Sequence, residues 1–244
     1  QFLSRLASPL ETLIIGGGYT GLSAAIELAT AHQDVVVIDQ GGLWSEIGPG
    51  CSSRNGGQVG FSLKPSLETL SRHYGAHTAH ALVREAIDAC EYLKTQWAHQ
   101  DIGWQPHGTF VGAHTRRHLK DLVASAQRFS AQYQQPIEVV EGHRVHQEIA
   151  SPLYVGGVVY HNEASLQPRL LHQKLLGRAH QQGAKIFEHH RVARLLRSQG
   201  GFEVHIECPQ GSLIVNAKRV LIASNGLSTV ALGPVHRWVF PVGS

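Results

Sequence analysis

Apolar and polar positions follow two rhythms along the chain. Thr12-Leu13-Ile14-Ile15 is a short apolar run that reads as a strand and leads into Gly16-Gly17-Gly18-Tyr19-Thr20-Gly21. After it, Leu22, Ala25, Ile26 and Ala29 recur at helical spacing. Residues 34–39 (DVVVID) are a β-branched run suited to a parallel strand buried on both faces. Strand, helix and strand make a βαβ unit. Residues 66–100 keep a helical period with a break at Gly75, and Leu82, Ala86, Ala89, Tyr92, Leu93 and Trp97 trace the predicted inner face of the second piece. The pattern predicts a strand at 108–113, a helix over 116–132 with Leu119, Leu122, Ala126 and Phe129 inward, and a strand at 156–160. A helix over 165–182 takes Pro168 in its first turn and stops at Gly183. Strands are predicted at 184–188, 192–197, 202–208 and 212–216, the last three as an antiparallel meander, and a separate buried strand at 219–224 ends on Asn225-Gly226. Residues 41–60 form a Gly/Ser/Pro-rich loop, a length that within a compact domain points to function.

Composition narrows the class. The 244 residues are 42% hydrophobic and 16% charged, enough for a sizeable core and too apolar for disorder. No apolar run approaches the ~18 residues of a membrane span, so none is expected. No basic segment followed by an apolar one marks a secretory signal. Cys51, Cys90 and Cys208 are far apart, which disfavours a disulfide scaffold or structural zinc and suits a reducing cytoplasm. The net charge of +3 comes from scattered Lys and Arg, so no nucleic-acid partner is expected. Glycine (26) and histidine (17) are abundant, and methionine is absent even at position 1.

Gly16-x-Gly18-x-x-Gly21 sits between a predicted strand and a predicted helix, where such a motif has a mechanism. Gly16 permits the tight turn, Gly18 lets the backbone approach a pyrophosphate, and Gly21 lets the helix pack on the strand. The helix N-terminus then offers free N–H groups and a positive dipole to the phosphate. Asp39, at the end of the second strand, can accept hydrogen bonds from both ribose hydroxyls of an adenosine and would repel a 2′-phosphate, which argues against NADP. The bland alternative is a glycine turn and a strand-end carboxylate in a fold that binds no nucleotide. Gly50-Cys51-Ser52-Ser53-Arg54-Asn55-Gly56-Gly57-Gln58 is a second candidate, a loop of hydroxyls, amides and bare backbone able to wrap a polar ligand. The same residues also suit a plain solvent loop. His73, His77 and His80 share a helical side, but Gly75 interrupts the helix and no further ligand completes a metal set. His189 and His190, if on a strand, face opposite ways. Cys51 has no identifiable base, so a packing role is expected of it.

GGGYTGLSAAIEL, VVVID and GCSSRNGGQVG together resemble the D-amino-acid-oxidase-like family of FAD oxidoreductases, in particular its γ-glutamylputrescine oxidoreductase-like subgroup. SLKPSLETL, SLQPRLLHQKLLGRAHQQGAKIFEHHRV, RVLIASNGLS and VFPVGS resemble later segments in order, so the resemblance covers residues 11–244. Cys51 and Ser53 stand where that subgroup's loop, G-A-S-G-R-N-G-G-Q, has Ala and Gly.

The resemblance implies an α/β fold: a Rossmann-like FAD-binding domain (1–60 and 164–234) interleaved with an α+β substrate domain (61–163 and 235–244), the family's C-terminal part missing. It implies that Gly16, Gly18, Tyr19, Thr20, Gly21, Asp39 and Gln40 hold the adenosine diphosphate. Ser52, Ser53, Arg54, Asn55, Gly56, Gly57 and Gln58 would pass the pyrophosphate, ribityl chain and flavin. Val192 would contact adenine through its backbone, and Ala223, Ser224, Asn225 and Gly226 would close the crossing back. The implied reaction is oxidation of an amine or amino acid by hydride transfer to flavin N5, with oxygen or another acceptor taking the electrons. No catalytic acid or base is nominated, since a neutral amine needs none, and no metal is expected. D-Amino-acid dehydrogenation, sarcosine or glycine oxidation, a truncated non-catalytic relative, and an NAD-dependent dehydrogenase are the alternatives.

Overall fold

The computed structural model describes residues 9–44 and 50–227. The chain begins β1 (Leu10–Ile15), α1 (Tyr19–Thr30), β2 (Val35–Ile38), β3 (Gln58–Val59), α2 (Leu67–Tyr74), α3 (Ala76–Trp97), β4 (Thr109–Ala113) and α4 (Arg116–Tyr133). It continues β5 (Ile137–Glu141), α5 (Val145–Glu148), β6 (Gly156–Tyr160), β7 (Ala164–Ser165), α6 (Pro168–Gln181), β8 (Lys185–Phe187), β9 (Arg191–Ser198), β10 (Gly201–Cys208) and β11 (Gly211–Ile222). It divides into two compact units, Gln1–Asn55 with Pro168–Ser244, and Gly56–Gln167.

The first unit is built on a six-stranded sheet in the order β8-β2-β1-β11-β10-β9. β2 is buried at all four positions, as a strand covered on both faces must be. β1 pairs in parallel with β2 and β11, and β2 with β8. α1 turns Leu22, Ala25, Ile26 and Ala29 inward, the stripe that its spacing predicts. α6 buries Pro168, Leu171, His172, Leu175, Leu176 and Ala179. Val192, Val204, Ile206 and Val215 of the meander share one core with Leu13, Ile15, Val36, Ile38 and Phe187. Each such large side chain taken fully from water contributes ~1.5–3 kcal/mol.

The second unit carries the antiparallel sheet β4-β6-β5, with α4 packed on it, and the short pair β3-β7. α4 begins at Thr115, whose side chain accepts a hydrogen bond from the His118 N–H. Gly75, with φ of +79°, separates α2 from α3.

Three expectations are corrected. The predicted strands 212–216 and 219–224 are one, β11: residues 211–217 run antiparallel to β10 and 217–222 run parallel to β1. Nothing in Ala217-Lys218, between the two predicted runs, breaks an extended backbone. The inner face of α3 runs through Ala79, Val83 and Trp97, while Leu82 and Tyr92 are exposed. The larger side chains had traced a stripe one position round the helix. His189 and His190 lie in the turn between β8 and β9, not on a strand, and His189 has φ of +57°. No helix among the described residues is long and apolar enough to cross a membrane.

Candidate functional site

The C-terminal ends of β1, β2 and β11 are joined by backbone bonds. The Gly16 N–H donates to the Ile38 carbonyl (2.8 Å) and the Ala223 N–H to the Ile15 carbonyl (2.8 Å). Gly16 has φ of +110°, and a Cβ there would stand 2.5 Å from the Ala223 carbonyl oxygen. A Cβ on Gly21 would stand 1.9 Å from the Gly16 oxygen, so α1 crosses the turn at a separation that only glycine allows. A Cβ on Gly18 would meet the Ser52 hydroxyl at 2.8 Å. The Tyr19 N–H donates to that hydroxyl (3.0 Å). The first bond of the helix ladder runs from the Leu22 N–H to the Gly18 carbonyl (2.9 Å), leaving the N–H groups of Thr20 and Gly21 ahead of it.

Asp39 closes the other side. Its Oδ2 accepts from the Gly17 N–H (2.7 Å) and its Oδ1 from the Gly41 N–H (2.8 Å), and each oxygen keeps a further lone pair. The Gly17 peptide is also held from α6, where His172 Nε2 lies 2.8 Å from the Gly17 carbonyl oxygen. A carbonyl only accepts, so Nε2 carries the proton. Nδ1 is then a bare lone pair, buried with no partner. Burial pushes the His172 pKa below the usual imidazole range, helped by the Arg169 charge and opposed by the bond to Gly17 and by Asp39. The Tyr19 hydroxyl donates to the Pro168 carbonyl (3.0 Å), a second tie between α1 and α6. Burial raises its pKa, against a smaller opposing effect of Asn55.

Gly17, Gly18, Asp39, Leu43, Gly50, Ser52, Ser53 and His172 enclose a cavity of about 30 Å³. That is room for about one water. The loop beside it is a 3₁₀ turn, Cys51–Ser53, closed by the Ser53 hydroxyl on the Gly50 carbonyl (3.2 Å) and Asn55 Nδ2 on the Cys51 carbonyl (3.1 Å). Cys51 is exposed.

The structure thus gathers Gly16, Gly18, Tyr19, Thr20, Gly21, Asp39, Ser52 and Ser53 about one turn, with Ala223 and Ser224 against Gly16. Gln40, Arg54 and Asn55 are exposed. Asn225 and Gly226 lie in the 3₁₀ turn after β11. Val192 is buried in β9. Gly56, Gly57 and Gln58 belong to the second unit, where the Gly57 carbonyl accepts from the Leu166 N–H (2.9 Å) and Gln58 pairs with Ser165. Residues 235–244, read from sequence as substrate domain, lie outside the described residues.

Sequence reasoning missed Gly17, His172 and Glu188, whose Oε1 accepts from the N–H groups of Leu43 and Trp44. His172 had left a signal. It is the one histidine on the apolar stripe 168, 171, 172, 175, 176, 179. Among the described residues no group of three or more His, Cys, Asp or Glu could hold a metal.

Comparison with known proteins adds to this geometry. A family model described as FAD dependent oxidoreductase matches residues 11–243. Gamma-glutamylputrescine oxidoreductase of Escherichia coli is 27% identical over 217 residues, covering 88% of this chain and 49% of the relative. A probable oxidoreductase, OrdL, of Haemophilus influenzae is 25% identical over 241 residues, 96% of this chain and 54% of the relative. The chain therefore spans about half the length of these curated relatives. Glycine oxidase from Geobacillus kaustophilus superposes with a TM-score of 0.70 at 22% identity, over 91% of this chain and 57% of that one. L-Proline dehydrogenase from P. horikoshii gives 0.69 at 16% identity, over 94% and 57%. These two likenesses show a shared fold.

Proposed function

The chain belongs to the FAD-dependent oxidoreductase family, and from that premise we propose that the protein oxidises the C–N bond of an amine or amino acid, with its first unit holding the cofactor. FAD, when bound, supplies the hydride acceptor at N5 for the carbon beside the nitrogen, and the imine that leaves is hydrolysed in water.

The observation that carries the reading is the turn at the end of β1, where three glycines and Asp39 meet the N-terminus of α1. The residues fit the group. A Cβ at position 16, 18 or 21 would strike backbone or the Ser52 hydroxyl, so this cradle exists only with glycine. The N–H groups of Thr20 and Gly21 and the α1 dipole would take a phosphate. Asp39, oriented by two backbone N–H groups, would use its remaining lone pairs for the adenosine ribose. The cavity of about 30 Å³ is too small for a diphosphate, so binding would draw Ser52 away from the Tyr19 N–H and pass that donor to the phosphate. Ser53, Arg54 and Asn55 would follow along the cofactor, Val192 would offer backbone to adenine, and Ala223 to Gly226 would line the returning chain. Oxygen or another acceptor would reoxidise the flavin.

A visible spectrum of the protein, followed by anaerobic addition of a panel of amines and amino acids, tests this. Flavin absorbance that a panel member bleaches supports the oxidase or dehydrogenase reading. Bound FAD that none of them bleaches leaves a flavin-binding relative without this activity. A protein that takes up NADH and no flavin overturns the proposal.

A further inference from the structure

The second unit contains a cavity of about 1070 Å³ that the cofactor site does not use. That is the scale of a small-molecule pocket. One part of its wall is a cluster of aromatic rings. Phe61 stacks on Phe129 at 5.3 Å with planes 10° apart, Tyr160 meets Phe61 edge-on at 6.1 Å, and Tyr133 lies 4.9 Å from Phe129. Into this wall is set one carboxylate. Glu163 lines the cavity at 8% exposure, and among the described residues no hydrogen bond or ion pair reaches its side chain. Its backbone is fixed, the N–H on the Tyr160 carbonyl (3.3 Å) and the carbonyl on the Gly108 N–H (3.1 Å). Its charge is felt nearby: after burial, it is the next cause raising the pKa values of Tyr160 and Cys90.

The residue is largely buried, but its carboxylate oxygens are not sealed from the cavity and no cation among the described residues answers them, so a cation there would gain from their charge. Gly60 sharpens the point. A Cβ there would stand 2.8 to 3.0 Å from the carboxylate atoms of Glu163, and its φ lies outside the left-handed region. The backbone does not require glycine at that position, so what the missing side chain provides is space beside the carboxylate. Arg128 and Glu68 also line the cavity, but both are exposed and neither pairs with Glu163. Within a lining that also holds polar side chains, the ring cluster beside this carboxylate matches a ligand that has a methylene chain and one cationic nitrogen, whose charge the ring faces also favour.

We propose that this cavity binds the ammonium end of an aliphatic amine, with Glu163 as its counter-ion, the rings of Phe61, Phe129, Tyr133 and Tyr160 as walls for its methylene groups, and Gly60 as the opening beside the carboxylate. Naming an amine substrate as the occupant rests on the oxidation reading above; the cation site itself does not.

The test is calorimetric titration of the purified protein near neutral pH with n-butylammonium chloride and with 1-pentanol, its neutral match in size. Wild type is expected to bind butylammonium at least tenfold more tightly than pentanol. E163Q is expected to lose at least tenfold for butylammonium and keep its pentanol affinity, which also reports an intact cavity. G60A keeps the charge and crowds it, and is expected to lose several-fold. If E163Q does not fold, G60A decides. No butylammonium binding by wild type, or equal binding by wild type and either variant, overturns the proposal. Bleaching of the flavin by amines on the same samples separates the two readings. Bleaching with binding indifferent to Glu163 removes the cation site and leaves the oxidase. Binding that depends on Glu163 without bleaching removes the oxidase and leaves the site.

Discussion

At the scale of single residues, the Gly17 peptide is clamped on both sides, its N–H by Asp39 and its carbonyl by His172. Neither clamp tolerates a change of hydrogen-bonding sense. D39N puts an amide donor against at least one backbone donor, and a loss of ~1–3 kcal/mol of stability is expected, with at least a tenfold fall in FAD affinity. Denaturant melts and flavin titration of the variant check both. G18V drives methyl groups into the Ser52 hydroxyl and the approach to the phosphate, so purified G18V is expected to carry no flavin absorbance. Full flavin occupancy in that variant would move the cofactor elsewhere. His172 gives a pH signature. Its folded-state pKa lies below the ordinary value of 6.5, so on acidification the unfolded chain takes up the proton first. Stability from this group is therefore level above about pH 6.5 and falls as the pH drops below it. H172Q keeps a donor for the Gly17 carbonyl and cannot titrate. Melts of the two proteins between about pH 5 and 7.5 should show the wild type losing stability more steeply on the acid side.

At the scale of elements, α6 offers a clean control. Gly177 lies inside the helix, and a Cβ there meets nothing within 4 Å. G177A is expected to raise stability by ~0.5–1 kcal/mol, read from the denaturation midpoint, with flavin content unchanged. The contrast with Gly16, Gly18 and Gly21 separates glycines that make room from one that merely loosens a helix. Elements with a strong period were legible from sequence. The β-branched DVVVID and the stripe Leu22, Ala25, Ile26, Ala29 each specify one burial pattern, and the structure adopts it. β5 was not legible, because IEVVE is short, follows a proline and carries a carboxylate at its second and last positions, so its alternation is weak. β3 and β7 hold two residues each and exist only through each other. The glycine turn could be read from the motif, whereas the Gly17 clamp could not. It depends on α6, distant in sequence, which delivers a histidine to a carbonyl that carries no signal of its own.

At the scale of the molecule, two compact units are built from interleaved segments, and the chain belongs to a family of FAD-dependent oxidoreductases. The gene product is expected to be yellow, to show flavin absorbance in the visible range, and to release FAD on denaturation. Mass spectrometry on the same sample gives its full length, which the comparison with relatives about twice as long makes worth knowing. A colourless protein that still fails to take up added FAD would withdraw the cofactor assignment along with the reaction. The cation site of the second unit is tested independently, since its titration requires no turnover.

The double character of β11 also sets an order of events during synthesis. Leu10–Ile15 leaves the ribosome early, yet its partner on one side, residues 217–222, is made last among the described strands. Every strand pairing of Gly56–Gln167 is internal to that stretch and can close as soon as it has emerged. The usual rule that the N-terminal unit folds first is therefore reversed. While the inserted unit is translated, the growing chain carries Leu13, Ile14 and Ile15 on a strand with one open edge, a ready template for mispairing. The length of the insertion fixes how long that edge stays bare on the nascent chain.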